Sequence, residues 1–216
     1  MTSPRLVSIQ VGVPRWNVAG DATRWRSAYF KAPVDGPTVL RLTNLEGDAQ
    51  ADVESHGGPD MAVLCYSFDH YAGWRDELAM PEMGPGGFAE NFTIAGQDES
   101  SVCIGDVYEV GEAVVQVSKP RAPCVNISRR WERPDLLRRV EDSGRHGWYL
   151  RVQQEGMVEA GLDLRLLERP HPDWTVRRAA DVIRWRKREQ ALAAELARCE
   201  ALAGDTRTVL ERALGR

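Results

Sequence analysis

Cys124 is the residue of this sequence with the clearest chemical potential. It stands in the segment SKPRAPCVN, directly downstream of Lys119 and Arg121. A thiolate is the reactive nucleophile and a soft metal ligand, and neighbouring cations favour it over the thiol. The two prolines of the segment restrict the backbone, so the loop would hold the sulfur in a fixed position. The alternative is a cysteine that only packs, since free cysteine is among the residues most often buried.

The segment SHGGPD supplies a second candidate, in which His56 precedes Gly57 and Gly58. Glycine lets backbone N–H groups approach a ligand closely, and consecutive N–H groups can bind an anion. His56 would add a further donor. The alternative is a tight turn with a solvated histidine.

Four further polar residues are candidates for the wall of a pocket, each with a structural alternative. Asp48 in LEGDAQAD is an acid/base candidate or a backbone cap, and Asn91 in FAENF enters an apolar strand and needs a partner if buried. Lys31 in SAYFKAPV is a phosphate ligand or a lysine that lays its stem on apolar surface. Arg145 in GRHGWYLRV lines a basic pocket or belongs to a turn.

The elements that must position these residues are mostly strands. Up to about position 168, short apolar runs alternate with Gly, Pro, Asp and Asn, which predicts an all-β barrel or sandwich. The run VGEAVVQVS predicts a hairpin through Gly111 and Glu112. Two helices interrupt the strands: SFDHYAGWRDEL with Ser67 as its cap, and RPDLLRRVEDSG from Pro134 to Gly144.

The composition changes near the end of the chain. From Thr175 onward Ala, Leu, Arg and Glu dominate, which predicts about three short helices, the last capped by Asp205 or Thr206. We therefore divide the chain into a β-barrel domain at 1–170 and a helical extension at 171–216. The arginine excess of the extension is interpreted as a solvated helical face.

Bulk properties exclude several classes of protein. The chain has 216 residues, 43% hydrophobic, with a formal net charge of −4, which argues against a dedicated nucleic-acid binder. No apolar run is long enough for a membrane helix, and no signal peptide is recognised, so a cytoplasmic location is expected. The four cysteines form no CxxC pair and are expected to be free thiols. The scattered histidines give no zinc-site spacing.

Taken together, six segments resemble the MOSC family, the molybdenum cofactor sulfurase C-terminal domain, and in particular its YiiM-like branch. These segments are NLEGDAQAD, HGGPDMAV, FAENF, VCIGD, VSKPRAPC and GRHGWYLRV, in the family's order. The resemblance implies a mainly β fold, a MOSC-type β-barrel with a few helices and a small C-terminal helical appendage. The sequence departs from the family pattern at Met61, Ala89 and Lys119, where the family commonly has Lys, Gly and Gln, respectively.

The resemblance also implies a molybdenum cofactor (molybdopterin) whose metal is bound by Cys124. Relatives reduce N-hydroxylated bases such as 6-hydroxylaminopurine. That activity would need a small-molecule substrate and an electron-donor protein that carries a flavin or an iron–sulfur cluster. Neither nucleic acid nor a membrane is expected as a partner, and the oligomeric state stays open. We assign catalysis to Cys124, Asp48 and His56. The expected cofactor-binding residues are Lys31, His56, Gly57, Gly58, Asn91, Arg121, Cys124 and Arg145.

Two other functions remain open: sulfur transfer through a Cys124 persulfide, and a module that binds the cofactor or an anion without turnover. All three functions need the loops to converge. We therefore expect one common cleft lined by Cys124, His56, Asn91, Arg121 and Lys31.

Overall fold

A curled β-sheet forms the body of the protein. The computed structural model describes residues 3–18 and 24–215. The strands in this part of the chain are β1 (Arg5–Val11), β2 (Arg15–Val18), β3 (Arg24–Ser27), β4 (Ala32–Pro33), β5 (Thr38–Leu40), β6 (Val63–Ser67), β7 (Phe92–Ala95), β8 (Val107–Val110), β9 (Ala113–Pro120), β10 (Trp148–Gln154), β11 (Gly156–Val158) and β12 (Arg165–Glu168).

Eight of these strands join in the order β12-β8-β9-β10-β6-β7-β1-β4. All neighbours are antiparallel except β6 and β7, which run parallel. The sheet curls back on itself because the segment before β12 meets β1: the Leu6 amide donates to the Leu162 carbonyl at 2.8 Å, and Arg5 and Asp163 form an antiparallel bridge. The result is the mainly β, barrel-like fold with a few helices that the sequence predicts.

Strand β1 buries apolar side chains, although a bulge between Leu6 and Ser8 interrupts its period-two pattern. Leu6 and Ile9 of β1 are fully enclosed, whereas Arg5 faces solvent. The predicted hairpin between β8 and β9 is confirmed, with Val110 opposite Ala113. Gly111 turns it with φ +58, and a Cβ there would lie 2.3 Å from the Met157 carbonyl oxygen.

The helices of the described residues fall between strands in the first part of the chain and follow the last strand in the second. They are α1 (Val53–His56), α2 (His70–Leu78), α3 (Asn126–Trp131), α4 (Leu136–Ser143), α5 (Val176–Trp185), α6 (Gln190–Leu196) and α7 (Gly204–Ala213), with a 3₁₀ turn at Pro59–Met61. No helix in the described residues is long and apolar enough to cross a membrane.

The predicted helix ends are partly right. Gly144 ends α4 with φ +70, as predicted. The Ser67 cap is wrong: Ser67 lies in β6, and α2 follows Asp69. The cap on α7 is also wrong, because Asp205 lies inside the helix's first turn.

The three tail helices pack onto the barrel. Val176, Leu196 and Leu210 belong to the same apolar core as the strand residues Val115 and Val117. A second, aromatic core lies under α2, α3 and α4, and is formed around Tyr66, Tyr71, Trp74, Phe88 and Trp131. The tail is also fastened to the end of β9, since the Ala203 amide donates to the Ser118 carbonyl at 2.9 Å. The segments on either side of position 170 therefore share one core.

Candidate functional site

A cavity of about 270 Å³ opens where the loops after β3 and β9 meet α1. The five residues expected to share a cleft all line it. The wall consists of Trp25, Arg26, Ser27, Ala28, Tyr29, Lys31, Ala49, Gln50, Ala51, Asp52, His56, Met61, Leu64, Ala89, Asn91, Arg121, Ala122, Cys124, Asn126, Arg129 and Tyr149. The convergence of loops that are distant in sequence is therefore confirmed.

Cys124 is held between β9 and α3. The loop is fastened at one end by the Arg121 amide, which donates to the Gly147 carbonyl at 3.1 Å, and at the other by the Ile127 amide, which donates to the Cys124 carbonyl at 3.1 Å. All four cysteines are free, as predicted. Cys124 is partly exposed to the cavity, whereas the other three are buried. The accessible thiol is thus the one at the candidate site.

Three buried polar atoms of the cavity wall have no hydrogen-bond partner among the described residues. They are Trp25 Nε1, Tyr29 Oη and Arg121 Nη1. Burial raises the pKa of Tyr29 despite the nearby charge of Arg121, so its phenol stays a donor, but the two side chains do not form a hydrogen bond of good geometry. Buried polar groups are nearly always paired. A cationic guanidinium and two neutral donors in one cavity therefore fit a ligand rich in anionic or acceptor groups.

His56 ends α1 and is half-buried at the cavity wall. Burial lowers its pKa, Asp52 partly offsets that effect, and the charges of Arg121 and Lys119 lower the pKa further. His56 is therefore neutral at pH 7 and carries one N–H donor and one acceptor.

We expect an NMR titration of His56 to give a midpoint below the usual value near 6.5. Because the folded-state pKa lies below the unfolded one, His56 favours the folded state above the unfolded pKa, and that contribution is lost as pH falls. A midpoint at or above the usual value would contradict the burial that the structure gives His56.

The glycines of SHGGPD lie beside the cavity rather than in its lining. The Gly57 N–H donates to the Val53 carbonyl at 3.0 Å and closes α1, and the Gly58 carbonyl accepts from Met61 at 3.0 Å. Gly58 has φ +96, a conformation that favours glycine. The structure gives these glycines a turn-forming position, and their predicted contact with a cofactor stays a prediction.

Asp48 lies behind the wall, fully engaged in hydrogen bonds. One carboxylate oxygen accepts from the Gly12 amide at 2.7 Å and from Lys31; the other accepts from Asn91 Nδ2 at 2.9 Å. Its side chain is fully buried, and it does not line the cavity. The geometry gives Asp48 a positioning role, although we assigned it to catalysis from the sequence.

Lys31 and Asn91 line the cavity but have internal partners. Lys31 pairs with Asp48; its own burial lowers the pKa of its amine, and Asp48 opposes that shift. The Asn91 amide accepts from the Leu64 N–H at 3.1 Å and donates to the Gln10 carbonyl at 3.1 Å. Both side chains therefore hold the wall together.

Arg145 is not brought to the cavity. Its guanidinium lies 2.7 Å from Glu77 Oε2 and stacks 3.7 Å from the centroid of the Trp74 ring. Arg145 thus fastens the loop before β10 to α2.

Sequence reasoning missed the aromatic wall. Trp25, Tyr29 and Tyr149 line the cavity beside Arg121. The segment RWRSAYF carries a signal that could have predicted this strand, because charged and less polar residues alternate in it. Trp25 and Ser27 of β3 are buried, whereas Arg24 and Arg26 are exposed. The pairing of β2 with β3, the strand that carries Trp25, was not predicted.

Within the described ranges, no three His, Cys, Asp or Glu side chains come together as an all-protein metal site would require. The fold and the cavity define a class: a curled β-sheet domain with a helical tail that presents one accessible cysteine in a basic, aromatic cavity.

The chain belongs to the MOSC domain family, whose model matches residues 52–165, and it is a YiiM-like member. It is 39% identical to "Protein YiiM" of Escherichia coli over 160 residues, 72% of this chain and 70% of that protein. A protein named "Reductase" in Gibberella moniliformis is 37% identical over 194 residues, which cover 88% of this chain and 34% of that protein. The crystal structure of YiiM from Geobacillus stearothermophilus superposes with a TM-score of 0.83 at 30% identity, covering 98% of this chain and 99% of that one.

Proposed function

We propose that this protein is a reductase of N-hydroxylated compounds that uses a molybdenum cofactor bound through Cys124. The observation that carries the proposal is the cavity in which the accessible thiol of Cys124 lies with the buried guanidinium of Arg121, whose Nη1 has no partner among the described residues. Membership of the MOSC family supports the cofactor, and the relative named as a reductase supports the type of reaction.

The residues of the cavity fit such a cofactor. Cys124 would supply a thiolate, a ligand that suits a soft or borderline metal. Arg121, Tyr29 and Trp25 would donate to anionic and acceptor atoms of the cofactor, which would give partners to three donors that have none within the described residues. When bound, the cofactor supplies two-electron reduction at its metal.

The chemistry needs protons as well as electrons. An N-hydroxylated amine, R–NHOH, takes up two electrons and two protons to give R–NH₂ and water, with cleavage of the N–O bond. Two residues that we assigned to catalysis, Asp48 and His56, are acid/base candidates. Asp48 lies behind the wall of the cavity, and His56 lies at its surface. Glu90 is fully buried and accepts from Tyr71, Gly86, Phe88 and Thr93. We therefore assign proton delivery to His56, whose neutral ring would take up a proton from solvent and pass it on as the imidazolium.

Electrons would come from a separate donor protein that carries flavin or an iron–sulfur cluster. The match covers 34% of the fungal protein named "Reductase", so about two thirds of that protein has no counterpart in the matched region. The donor protein for this chain is part of the proposal, and a chemical electron source replaces it in the test of the reductase activity.

The test is to produce the protein in a host that makes molybdopterin and in a matched host that does not. We expect molybdenum, pterin and reduction of 6-hydroxylaminopurine, with reduced methyl viologen as electron source, in the first preparation alone. Bound cofactor without turnover would favour the non-catalytic module. A persulfide mass increase on Cys124 in a preparation without molybdenum would favour sulfur transfer.

A further inference from the structure

Two arginines share one aromatic ring, that of Phe30, whose neighbours in the sequence line the cavity. The Arg15 guanidinium carbon lies 4.7 Å from the centroid of Phe30, and that of Arg130 lies 4.5 Å from it. Phe30 stands between Tyr29 and Lys31, which both line the cavity. Stacking on a ring leaves the N–H edge of a guanidinium free to bind an acceptor.

Neither arginine forms an ion pair within the part of the chain that the structure describes, in contrast to Arg145 with Glu77 and Arg165 with Glu109. Burial lowers the pKa of Arg130, and the charge of Arg15 lowers it further; Tyr29 and Glu82 oppose the shift. Two like charges on one ring repel each other. An anion bridging them would remove that repulsion.

We propose that Arg15 and Arg130 form a subsite for the phosphate of a nucleoside monophosphate whose base enters the cavity. This subsite rests on the proposed function and makes its substrate class an N-hydroxylated nucleotide rather than a free base. A phosphate dianion matches two guanidinium groups in charge, and arginine donates to it through paired N–H groups.

The cavity wall is suited to the base. Tyr149, which is not among the donors that we assign to the cofactor, presents aromatic surface there, and stacking on aromatic side chains is a common way to hold a base. The cofactor's phosphate has the same chemistry as the nucleotide's. The two phosphates would bind at different places. Arg121, which we assign to the cofactor, is buried inside the cavity, whereas Arg15 is exposed on β2 outside it.

The experiment measures binding without turnover on the cofactor-loaded protein. Calorimetry with AMP, adenosine and inorganic phosphate compares wild type with the double variant Arg15→Ala/Arg130→Ala. Arg188→Ala is the matched control, because Arg188 also stacks on a ring, at 5.0 Å from the Trp185 centroid, and does not line the cavity.

We expect wild type to bind AMP at least about tenfold more tightly than adenosine, since charge-assisted hydrogen bonds to phosphate contribute more than about 1.4 kcal/mol. The double variant should lose this preference and keep its affinity for adenosine and its pterin content. Arg188→Ala should keep the preference.

Three results would overturn the subsite. Equal affinities of wild type for AMP and adenosine would show that the phosphate is not recognised. Inorganic phosphate binding as tightly as AMP would show an anion site that does not select a nucleotide. Loss of pterin in the double variant, with the AMP preference unchanged, would assign the arginines to the cofactor. If AMP behaves as expected but no N-hydroxylated compound is reduced, the phosphate subsite stands and the reductase function fails.

Discussion

Replacing Cys124 with alanine is expected to reduce bound molybdenum to background and to abolish reduction of N-hydroxylated compounds. The thiol is the protein ligand that we assign to the metal, and Cys124 is the partly exposed cysteine of the cavity. Residues that only hydrogen-bond to metal ligands typically contribute 10–100-fold, so losing the ligand itself should cost more than about 100-fold in cofactor retention. Molybdenum by mass spectrometry, pterin by fluorescence and initial rates measure the three effects.

The matched control is Cys199→Ala, which removes a buried thiol in the tail. It should keep molybdenum and activity at wild-type ratios, whatever it costs in stability. The Cys124→Ala protein should unfold at a urea concentration close to that of wild type, because its thiol is partly exposed. An equal molybdenum content in the Cys124→Ala and wild-type proteins would contradict the assignment of the thiolate as metal ligand.

The barrel could be predicted because its strands carry a local signal. Apolar residues at period two, such as those of β9, bury one face, and turn residues such as Gly111 mark where strands end. The three tail helices follow from composition for the same reason. The cap residues failed because capping depends on the backbone path: Ser67 is held in β6 by its pairing with Ile94 and is not free to cap α2.

The cavity was predictable to the extent that its residues stand in recognisable segments. Cys124 and Arg121 come from one such segment and His56 from another, and the three residues meet in one wall. The roles of Asp48 and Arg145 could not be read in this way, because a charged residue's role depends on its partner. Lys31 and Glu77 supply those partners from positions distant in the sequence. The Arg15 and Arg130 pair was missed for the same reason, since only the fold places both on Phe30.

Replacing Asp48 with alanine is expected to destabilise the protein by about 3–5 kcal/mol, the usual cost of removing one partner from a buried ion pair. The Lys31 ammonium is nearly enclosed and would lose its counter-charge, and the Gly12 N–H would lose its acceptor. Urea unfolding followed by tryptophan fluorescence measures the loss. The control is Glu109→Ala, whose pair with Arg165 is exposed and should contribute less than about 1 kcal/mol. Similar losses in the two variants would contradict the buried pair.

A milder change, Asp48→Asn, separates positioning from catalysis at the same residue. Asparagine keeps an oxygen that can accept from the Gly12 amide, although it removes the charge that Lys31 faces. If Asp48 acts only by holding Lys31 and Asn91 in the wall, the variant should lose part of its rate through weaker cofactor retention, and its activity per bound molybdenum should keep the wild-type pH profile. A proton donor or acceptor replaced by an amide would instead remove one limb of that profile. Because His56 is the titratable residue at the cavity surface to which we assign proton delivery, that limb should disappear in His56→Gln and persist in Asp48→Asn.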